Sequence, residues 1–412
     1  MQASLELAAP PVARSTAGGP TRFLVAAGIS FYGDWLTTVA IVVLLFRTTG
    51  NATGPALYML ARVAPRLLGP THGGVLVDRF GPVRIAGVCA LVQGALTAAI
   101  VPLGSAGIVW AIYPVVALAQ LVNALSQPAY AAMLPRVTVA RNLGRINGIY
   151  SSLFASSILV SPAIGALVLP HTTPELLIAA DAITFFIAAA MVLTLQIGSA
   201  PAQEAASPRG AGAGWRAIRS DAVLRSATAA MLGNAAVVTA LQAVLVVAAT
   251  QHFAHDTYVG WLYAAVGAGS LIGSLSFLRP NPKRIRQRDI AIFTAAELVA
   301  LAAFVFAVNI VVACTLLFLS SISAVLYQIL GAIALQQRVP ADLLGRASGA
   351  MRLAMYIGMF AGALAAIAFV DALGWGNTVL IVCAAAAVLL IVSSFTGPRD
   401  HRAVTPLTDI PD

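Results

Sequence analysis

The stretch GGVLVDRFGPVR, residues 73–84, is a short polar turn between two long apolar runs. It places one acid and two arginines, Asp78, Arg79 and Arg84, among glycines. Glycines let the backbone turn tightly and let neighbouring helices approach closely. The runs on either side have the length of about 20 residues that a helix needs to cross a bilayer core. The stretch therefore predicts a tight connection between two membrane-spanning helices.

The composition places the whole chain in a membrane. Hydrophobic residues make up 59% of the 412 residues and charged residues only 9%. A soluble domain carries about 25% charged residues, so this chain has too few charges to cover a water-exposed surface. Because helices satisfy their backbone hydrogen bonds internally, the apolar runs predict an all-α membrane protein.

Twelve apolar runs of suitable length follow one another along the chain. They are 23–46, 54–77, 85–104, 108–132, 146–169, 176–197, 222–250, 258–278, 288–308, 311–335, 346–370 and 375–396. The longest polar interruption, rich in Ala, Gly, Ser and Pro, separates six runs from six. We therefore predict a tail at 1–22, a six-helix bundle at 23–197, a cytoplasmic linker at 198–221, a six-helix bundle at 222–396 and a tail at 397–412.

The basic residues define the orientation. With the N-terminus inside, 20 of the 24 lysines and arginines fall in the tails, the linker and the connections on the same side. Only Arg47 falls on the opposite side, and Arg62, Arg66 and Arg352 lie within spans. Positive charge collects on the cytoplasmic side of membrane proteins, so both termini are predicted to be cytoplasmic. The same placement explains the net charge of +9 without nucleic acid.

A short repeat links the two halves. LGRINGIYSS, residues 143–152, leads into the fifth run, and LGRASGAMRL, residues 344–353, leads into the eleventh. The matching positions are separated by about half of the chain. Parallel repeats of six helices are a transporter architecture.

With these features in place, the stretch at 73–84 resembles the cytoplasmic signature of the major facilitator superfamily, Gly-x-x-x-Asp-Arg-x-Gly-Arg-Arg between helices 2 and 3. The matching positions are Gly74, Asp78, Arg79, Gly81 and Arg84. The chain departs from the signature at Pro82 and Val83. The resemblance implies twelve helices in two bundles that alternate access to a midplane site. It also implies that this turn acts as a conformational latch against helix 11, where Arg352 is placed to take part.

Within the superfamily, GDWLTTVA and LPRVTVARNLGRINGIYSS are most similar to drug and siderophore exporters of the macrolide-efflux and enterobactin-exporter type. Helix 5 also resembles the glycine pattern of proton-coupled exporters. The positions are Gly148, Ser157, Ser161, Pro162 and Gly165. Small residues there predict a kinked helix with a smooth packing face, and a generic packing face explains them equally. The helix-4 arginine of many proton antiporters is absent, which weakens the likeness.

Asp34 is the most unusual residue of the first run. It lies about eleven residues past Phe23, hence ~16 Å deep along a helix and near the bilayer midplane. Arg66 lies at a similar depth in the second run, and Arg62 lies one turn further out. We expect Asp34 to pair with Arg66 or Arg62. Two roles stay open: a permanent ion pair, or a residue that binds a proton or substrate and exchanges partners.

Glu297 is the other mid-span acid. No basic partner is evident at its depth, so it should be neutral, which suits proton carriage. A helix-packing carboxyl is the alternative. Five amide side chains in other runs are predicted to line a cavity: Gln120, Asn123, Asn234, Gln242 and Gln328.

These residues predict a secondary transporter without cofactor or metal. The only lysine, Lys283, is followed by Arg, which excludes a nucleotide-binding Gly-x4-Gly-Lys-[Ser/Thr] loop. The five histidines are scattered, which argues against an enzyme site. We predict proton-driven export of amphipathic molecules, drugs or a siderophore, by a monomer in a bacterial cell membrane. Proton-coupled uptake and a non-transporting scaffold or receptor remain alternatives.

Overall fold

The computed structural model describes residues 18–67, 69–138, 142–197, 211–253, 258–275 and 285–395. Within these ranges the chain forms α-helices and short helical turns. The helices are α1 (Gly19–Thr49), α2 (Thr53–Val63), α3 (Gly69–Phe80), α4 (Pro82–Ser105), α5 (Val109–Met133), α6 (Leu143–Val168), α7 (Pro174–Leu193), α8 (Ala211–Ser220), α9 (Ala222–Val247), α10 (Tyr258–Leu275), α11 (Gln287–Phe304), α12 (Ile310–Arg338), α13 (Ala341–Leu373) and α14 (Trp375–Phe395).

Nine helical segments in the described part of the chain are long and apolar enough to cross a membrane. They are α1, α4, α5, α7, α9 with the π-turn Ala248–His252, α10, α12, α13 from Arg346, and α14. The expectation of an all-helical membrane chain is therefore met. The other three predicted spans coincide with α6, with α11 and with the stretch that contains α2 and α3.

The second predicted span, 54–77, is a broken helix. A 3-10 turn, Ala64–Leu67, lies between α2 and α3. Pro65 falls in this turn, and a proline has no backbone N–H and clashes with the carbonyl one turn earlier. A 3-10 turn has about 3.0 residues per turn against about 3.6 in an α-helix. Side chains before and after the break therefore point in different directions.

The turn between α3 and α4 is built on Gly81. Its φ of 82° and ψ of 149° lie in a region that is nearly restricted to glycine. Pro82 then occupies the first position of α4, where its missing N–H costs nothing and its fixed φ favours the helix. Pro82, a departure from the family signature, thus has a structural role as a helix start.

The predicted linker, 198–221, contains the helix α8 in its described part. Ile218 is buried and Trp215 packs against the same apolar cluster as Ala347 of α13. At Gly214 a methyl group would overlap the backbone carbonyl of Arg346, so only glycine permits this approach. The Ala- and Gly-rich composition did not reveal this helix.

Contacts divide the described residues into two compact units. The first contains the described residues before Ser207 together with those between Ala243 and Gly267. In it α1 packs against α6 and α7, and α4 packs against α5 and α7. The second contains the other described residues, and α11 packs there against α12 and α14. The bundle limits at 197 and 222 stay a prediction.

Candidate functional site

Asp34 and Arg62 form an ion pair inside the first unit. Asp34 is the middle residue of the 31-residue helix α1. Arg62 lies in the last turn of α2, and its Nη2 donates to Oδ2 of Asp34 over 3.0 Å. The Arg62 side chain is 8% exposed and the Asp34 side chain 28%. The guanidinium carbon of Arg62 also lies 5.1 Å from the centre of the Trp35 ring, where the π-face attracts a cation.

Arg66 has a different partner. Its Nε and Nη2 atoms donate to Oε1 of Gln120 in α5 over 3.1 and 2.6 Å. Arg66 lies in the 3-10 turn, whereas Arg62 lies before it. Asp34 was expected to pair with Arg66 or Arg62, and the structure pairs it with Arg62.

A row of amide groups continues from Gln120 along α5. Nδ2 of Asn123 donates to Oε1 of Gln93 in α4 over 3.1 Å. Gln120 and Gln93 are buried, and Asn123 is half-buried. The amide groups thus extend the polar region that begins at Asp34 across α2, α5 and α4.

Asp181 of α7 belongs to the same region, which the sequence did not indicate. The residue is 1% exposed although it lies near the start of the sixth run. Oδ1 accepts a hydrogen bond from the Thr184 hydroxyl over 2.9 Å, and Oδ2 is buried without a hydrogen-bond partner among the described residues. The carboxyl lies against the backbone of Gly33, where a methyl group would overlap it.

An apolar groove of about 560 Å³ runs between α1, α6 and α7. Its walls include Val25 and Ile164, two large side chains that are about two-fifths exposed. Its polar contributors are few: Thr21, Tyr32, Ser161, Asp181 and Thr184. A groove of this size and character suits an apolar or amphipathic molecule.

The small-residue face of α6 packs against α1. Ser157 and Ser161 are at most 1% exposed, and the Ser161 hydroxyl donates to the Tyr32 carbonyl over 2.7 Å. Gly165 faces Leu36 and Val39 of α1. Pro162 is buried within the helix, whereas Gly148 is exposed. Tight packing of this face is therefore present, and its link to proton-coupled export stays a prediction.

Glu297 lies in the middle of α11 in the second unit and is 1% exposed. The Nδ2 group of Asn234 in α9 donates a short hydrogen bond to Oε1, while Oε2 has no partner among the described residues. No ion pair to Glu297 occurs in the part of the chain that the structure describes. Asn234, which was predicted to line a cavity, thus contacts Glu297, which was predicted to carry protons. Both roles stay predictions.

The remaining predicted residues differ in their exposure. Asp78, Arg79 and Arg84 are exposed in the α3–α4 turn, with the Arg79 guanidinium carbon 5.1 Å from the centre of the Phe80 ring. Arg352 is exposed on α13. Gly74 is half-buried in α3, Gln242 is half-buried in α9 and Gln328 is exposed on α12. The latch role of the turn stays a prediction.

Comparison with known proteins decides the family. A model of the Major Facilitator Superfamily matches residues 23–363. The chain belongs to the Major Facilitator Superfamily. It is a multi-pass protein of the plasma membrane with the all-helical fold of that superfamily.

Two curated relatives and one solved structure illustrate the likeness. The multidrug efflux pump Tap of Mycobacterium bovis is 26% identical over 258 residues, which cover 60% of this chain and 61% of that pump. Tap of Mycolicibacterium fortuitum is 25% identical over 401 residues, 92% of this chain and 96% of that pump. The crystal structure of a D-xylose-proton symporter superposes with a TM-score of 0.69 at 12% identity, over 92% of this chain and 98% of that one.

The resemblance to the superfamily that the turn at 73–84 predicted is thus confirmed. The alignment with Tap of Mycobacterium bovis spans about three-fifths of the length of that pump. The likeness to the D-xylose-proton symporter is a likeness of fold.

Proposed function

We propose that this superfamily member exports amphipathic small molecules across the plasma membrane and that proton entry drives the export. The observation that carries the proposal is the Asp34–Arg62 ion pair at the middle of a membrane-spanning helix. A buried pair costs desolvation energy, and ionisable groups inside membranes mark proton or substrate sites by default. The direction of transport is supported by the sequence similarity to the multidrug efflux pumps named Tap.

In the proposed cycle Asp34 exchanges partners. A proton on the Asp34 carboxylate neutralises it and releases the Arg62 guanidinium, which remains over Trp35. Loss of the proton restores the ion pair. The ion pair and the protonated, unpaired form are two states that differ by one proton. Alternating access needs two such states. Glu297 in the second unit is a further proposed proton carrier.

The proposal includes the architecture. The chain crosses the membrane twelve times, with α6, α11 and the α2–α3 stretch as the three additional spans, and both termini are cytoplasmic. Residues 23–197 and 222–396 are the two bundles. Asp78, Arg79, Arg84 and Arg352 belong to a cytoplasmic latch. The protein works as a monomer, without catalytic activity or nucleic acid.

The substrate class follows from the groove between α1, α6 and α7. Its apolar walls and few polar groups favour an amphipathic molecule over a sugar. Proton-coupled uptake is the second candidate, because the ion pair itself has no direction. A scaffold without transport is the third.

A dye assay tests the proposal. The protein is expressed in a bacterium without its main efflux pumps, and the fluorescence of cell-associated ethidium is followed with and without a protonophore. We expect less accumulation with the wild type, and loss of this effect with the protonophore or Asp34→Asn at equal protein level. Asp289→Asn is the matched control and should export normally, because it removes a half-buried acid at the start of α11 and keeps an oxygen that can accept from the Arg286 backbone N–H. Protonophore-sensitive accumulation above the empty strain would overturn export in favour of uptake.

A further inference from the structure

Asp181 is a buried acid that the proposed cycle does not yet use. It is the eighth residue of the 20-residue helix α7, so it lies about 10 Å along the helix from its first residue. It is 1% exposed, and no basic side chain among the described residues forms an ion pair with it. Among the described residues, the groups that can donate to it are neutral hydroxyls: Thr184 donates over 2.9 Å, and the buried Thr37 hydroxyl of α1 lies close by.

The partners of Asp181 are too few for a permanent anion. An ionised carboxylate offers about four acceptor positions, and a buried one without a cation loses far more hydration than neutral hydroxyls replace. Oδ2 receives no donor among the described residues, yet this oxygen is buried. A proton on Oδ2 removes the charge and occupies the unsatisfied position.

The charged groups around Asp181 are few. On α1, Asp34 directly follows Gly33, against which the Asp181 carboxyl packs. From α4, the titratable groups are Arg84 and Cys89. Both lie more than one helical turn along α4 from Gly94, which packs against Phe185 of α7. From α6 the groove contributes the hydroxyl of Ser161. Because Asp181 has an acid nearby and no ion pair with a basic side chain among the described residues, its protonated form is again favoured.

Asp181 also lies beside the helix segment that carries Asp34, the residue that changes its partner in the proposed cycle. Its carboxyl packs against the backbone of Gly33, the residue directly before Asp34 on α1. Thr184, its donor, lies within 2.7 Å of the position that a methyl group on Gly33 would take. Any displacement of α1 that accompanies the release of Arg62 must change the surroundings of this carboxyl.

We propose that Asp181 is a second proton-binding residue of the first unit, coupled to Asp34 through the contact with Gly33. When Asp181 is protonated, its O–H group packs between α7 and α1. When the O–H bond breaks, the proton passes to water and the carboxylate requires a new partner, so α1 and α7 must separate there. This inference deepens the proposed proton-driven export and rests on it for its role in transport, but proton binding itself can be measured independently.

Infrared spectroscopy of the full-length protein in liposomes detects the proton directly. A protonated carboxyl has a carbonyl stretch that a carboxylate lacks. At neutral pH, Asp181→Asn should lose part of the wild-type band, whereas Glu175→Gln, at the half-buried start of the same helix, should keep it. Glu297→Gln identifies the part of the band that comes from Glu297, the other buried acid. A full band in folded Asp181→Asn would overturn the proposal.

A second variant covers the case in which Asp181→Asn does not fold. Thr184→Val keeps the acid and removes its donor, so the wild-type band should move to higher frequency. A band that stays in place would show that it does not come from Asp181.

Ethidium transport into the same liposomes under an imposed pH gradient then tests the coupling. Ethidium transport by Asp181→Asn should lose its response to the gradient. An unchanged response would overturn the coupling. If the wild type does not respond to the gradient, proton-driven export fails, while the infrared result still decides whether Asp181 carries a proton.

Discussion

At the residue scale, the chain carries few charges inside the membrane and gives each a specific environment. Arg62 is nearly buried and has both a carboxylate and an aromatic face as partners. Arg66 has an amide oxygen as acceptor of two of its N–H groups. Losing one member of a buried pair strands the other charge, which costs more than losing both. The structural and functional roles of Asp34 can be separated on this basis.

Arg62→Gln should lower the free energy of unfolding by about 1–3 kcal/mol, somewhat below the ~3–5 kcal/mol of a fully buried pair, because Asp34 is partly exposed. The double variant Asp34→Asn/Arg62→Gln should recover most of this loss without recovering transport. Thermal unfolding in detergent and ethidium export measure the two effects. Recovery of export by the double variant would show that the pair is structural only.

Gly33→Ala tests the contact between α1 and α7. A methyl group there would overlap the Asp181 carboxyl and crowd the Thr184 hydroxyl, so we expect a loss of stability of about 1–3 kcal/mol through overpacking. Gly28→Ala is the matched control on the same helix, because its methyl group would lie at an ordinary 3.5 Å from the Leu153 side chain. Chemical unfolding of both variants should separate them. Equal stability would contradict the described packing at Gly33.

Sequence reasoning found part of this site. Asp34 and Glu297 are evident because an acid in the middle of an apolar run is rare, and Arg62 lies at the right depth to meet Asp34. Asp181 was missed because depth alone does not tell whether an acid faces lipid, water or another helix. The bond between Asn234 and Glu297 joins residues 63 positions apart, which no local pattern reveals.

At the scale of helices, apolar length predicted most elements and turn chemistry predicted the connections. The break at Pro65 was hidden because the run stays apolar across it, although proline next to arginine is the local cue. The helix α8 was hidden by its Ala- and Gly-rich composition, while Trp215 and Ile218, three residues apart, are its helical signal.

The start of α9 offers a test at this scale. The Asp221 carboxyl accepts hydrogen bonds from the backbone N–H groups of Val223 and Leu224 and pairs with Arg338 of α12 over 2.6 Å. Asp221→Asn keeps a good N-cap and loses the charge, whereas Asp221→Ala loses both. We expect the alanine variant to be less stable than the asparagine variant by about 1 kcal/mol, the usual contribution of an N-cap. Thermal unfolding gives the comparison, and equal stabilities would contradict the capping role.

At the scale of the whole molecule, the family follows from a match over residues 23–363. The fold follows from the all-helical architecture and the superposition on a D-xylose-proton symporter. The all-helical fold could be predicted from the sequence because bilayer thickness fixes the length of a spanning helix. The asymmetry of basic residues predicts the orientation. The substrate and the direction of transport depend on a few side chains, so sequence patterns predict them less directly.

The proposed topology predicts the location of both ends. Fusions of a reporter that is active only in the cytoplasm should be active at the N-terminus and at the C-terminus. A fusion after Asn51, in the connection that follows α1, should be inactive because one span separates it from the N-terminus. Opposite activities at the two termini would show an odd number of spans and would contradict the twelve-helix proposal.

The central claim is that proton entry and substrate exit are coupled at Asp34. The most direct measurement is proton movement in liposomes that contain the purified protein and a pH-sensitive dye. An ethidium gradient alone should drive protons in the opposite direction with the wild type, and Asp34→Asn should abolish this flux while the protein stays folded. Proton movement in the same direction as ethidium, or full flux in Asp34→Asn, would contradict the account.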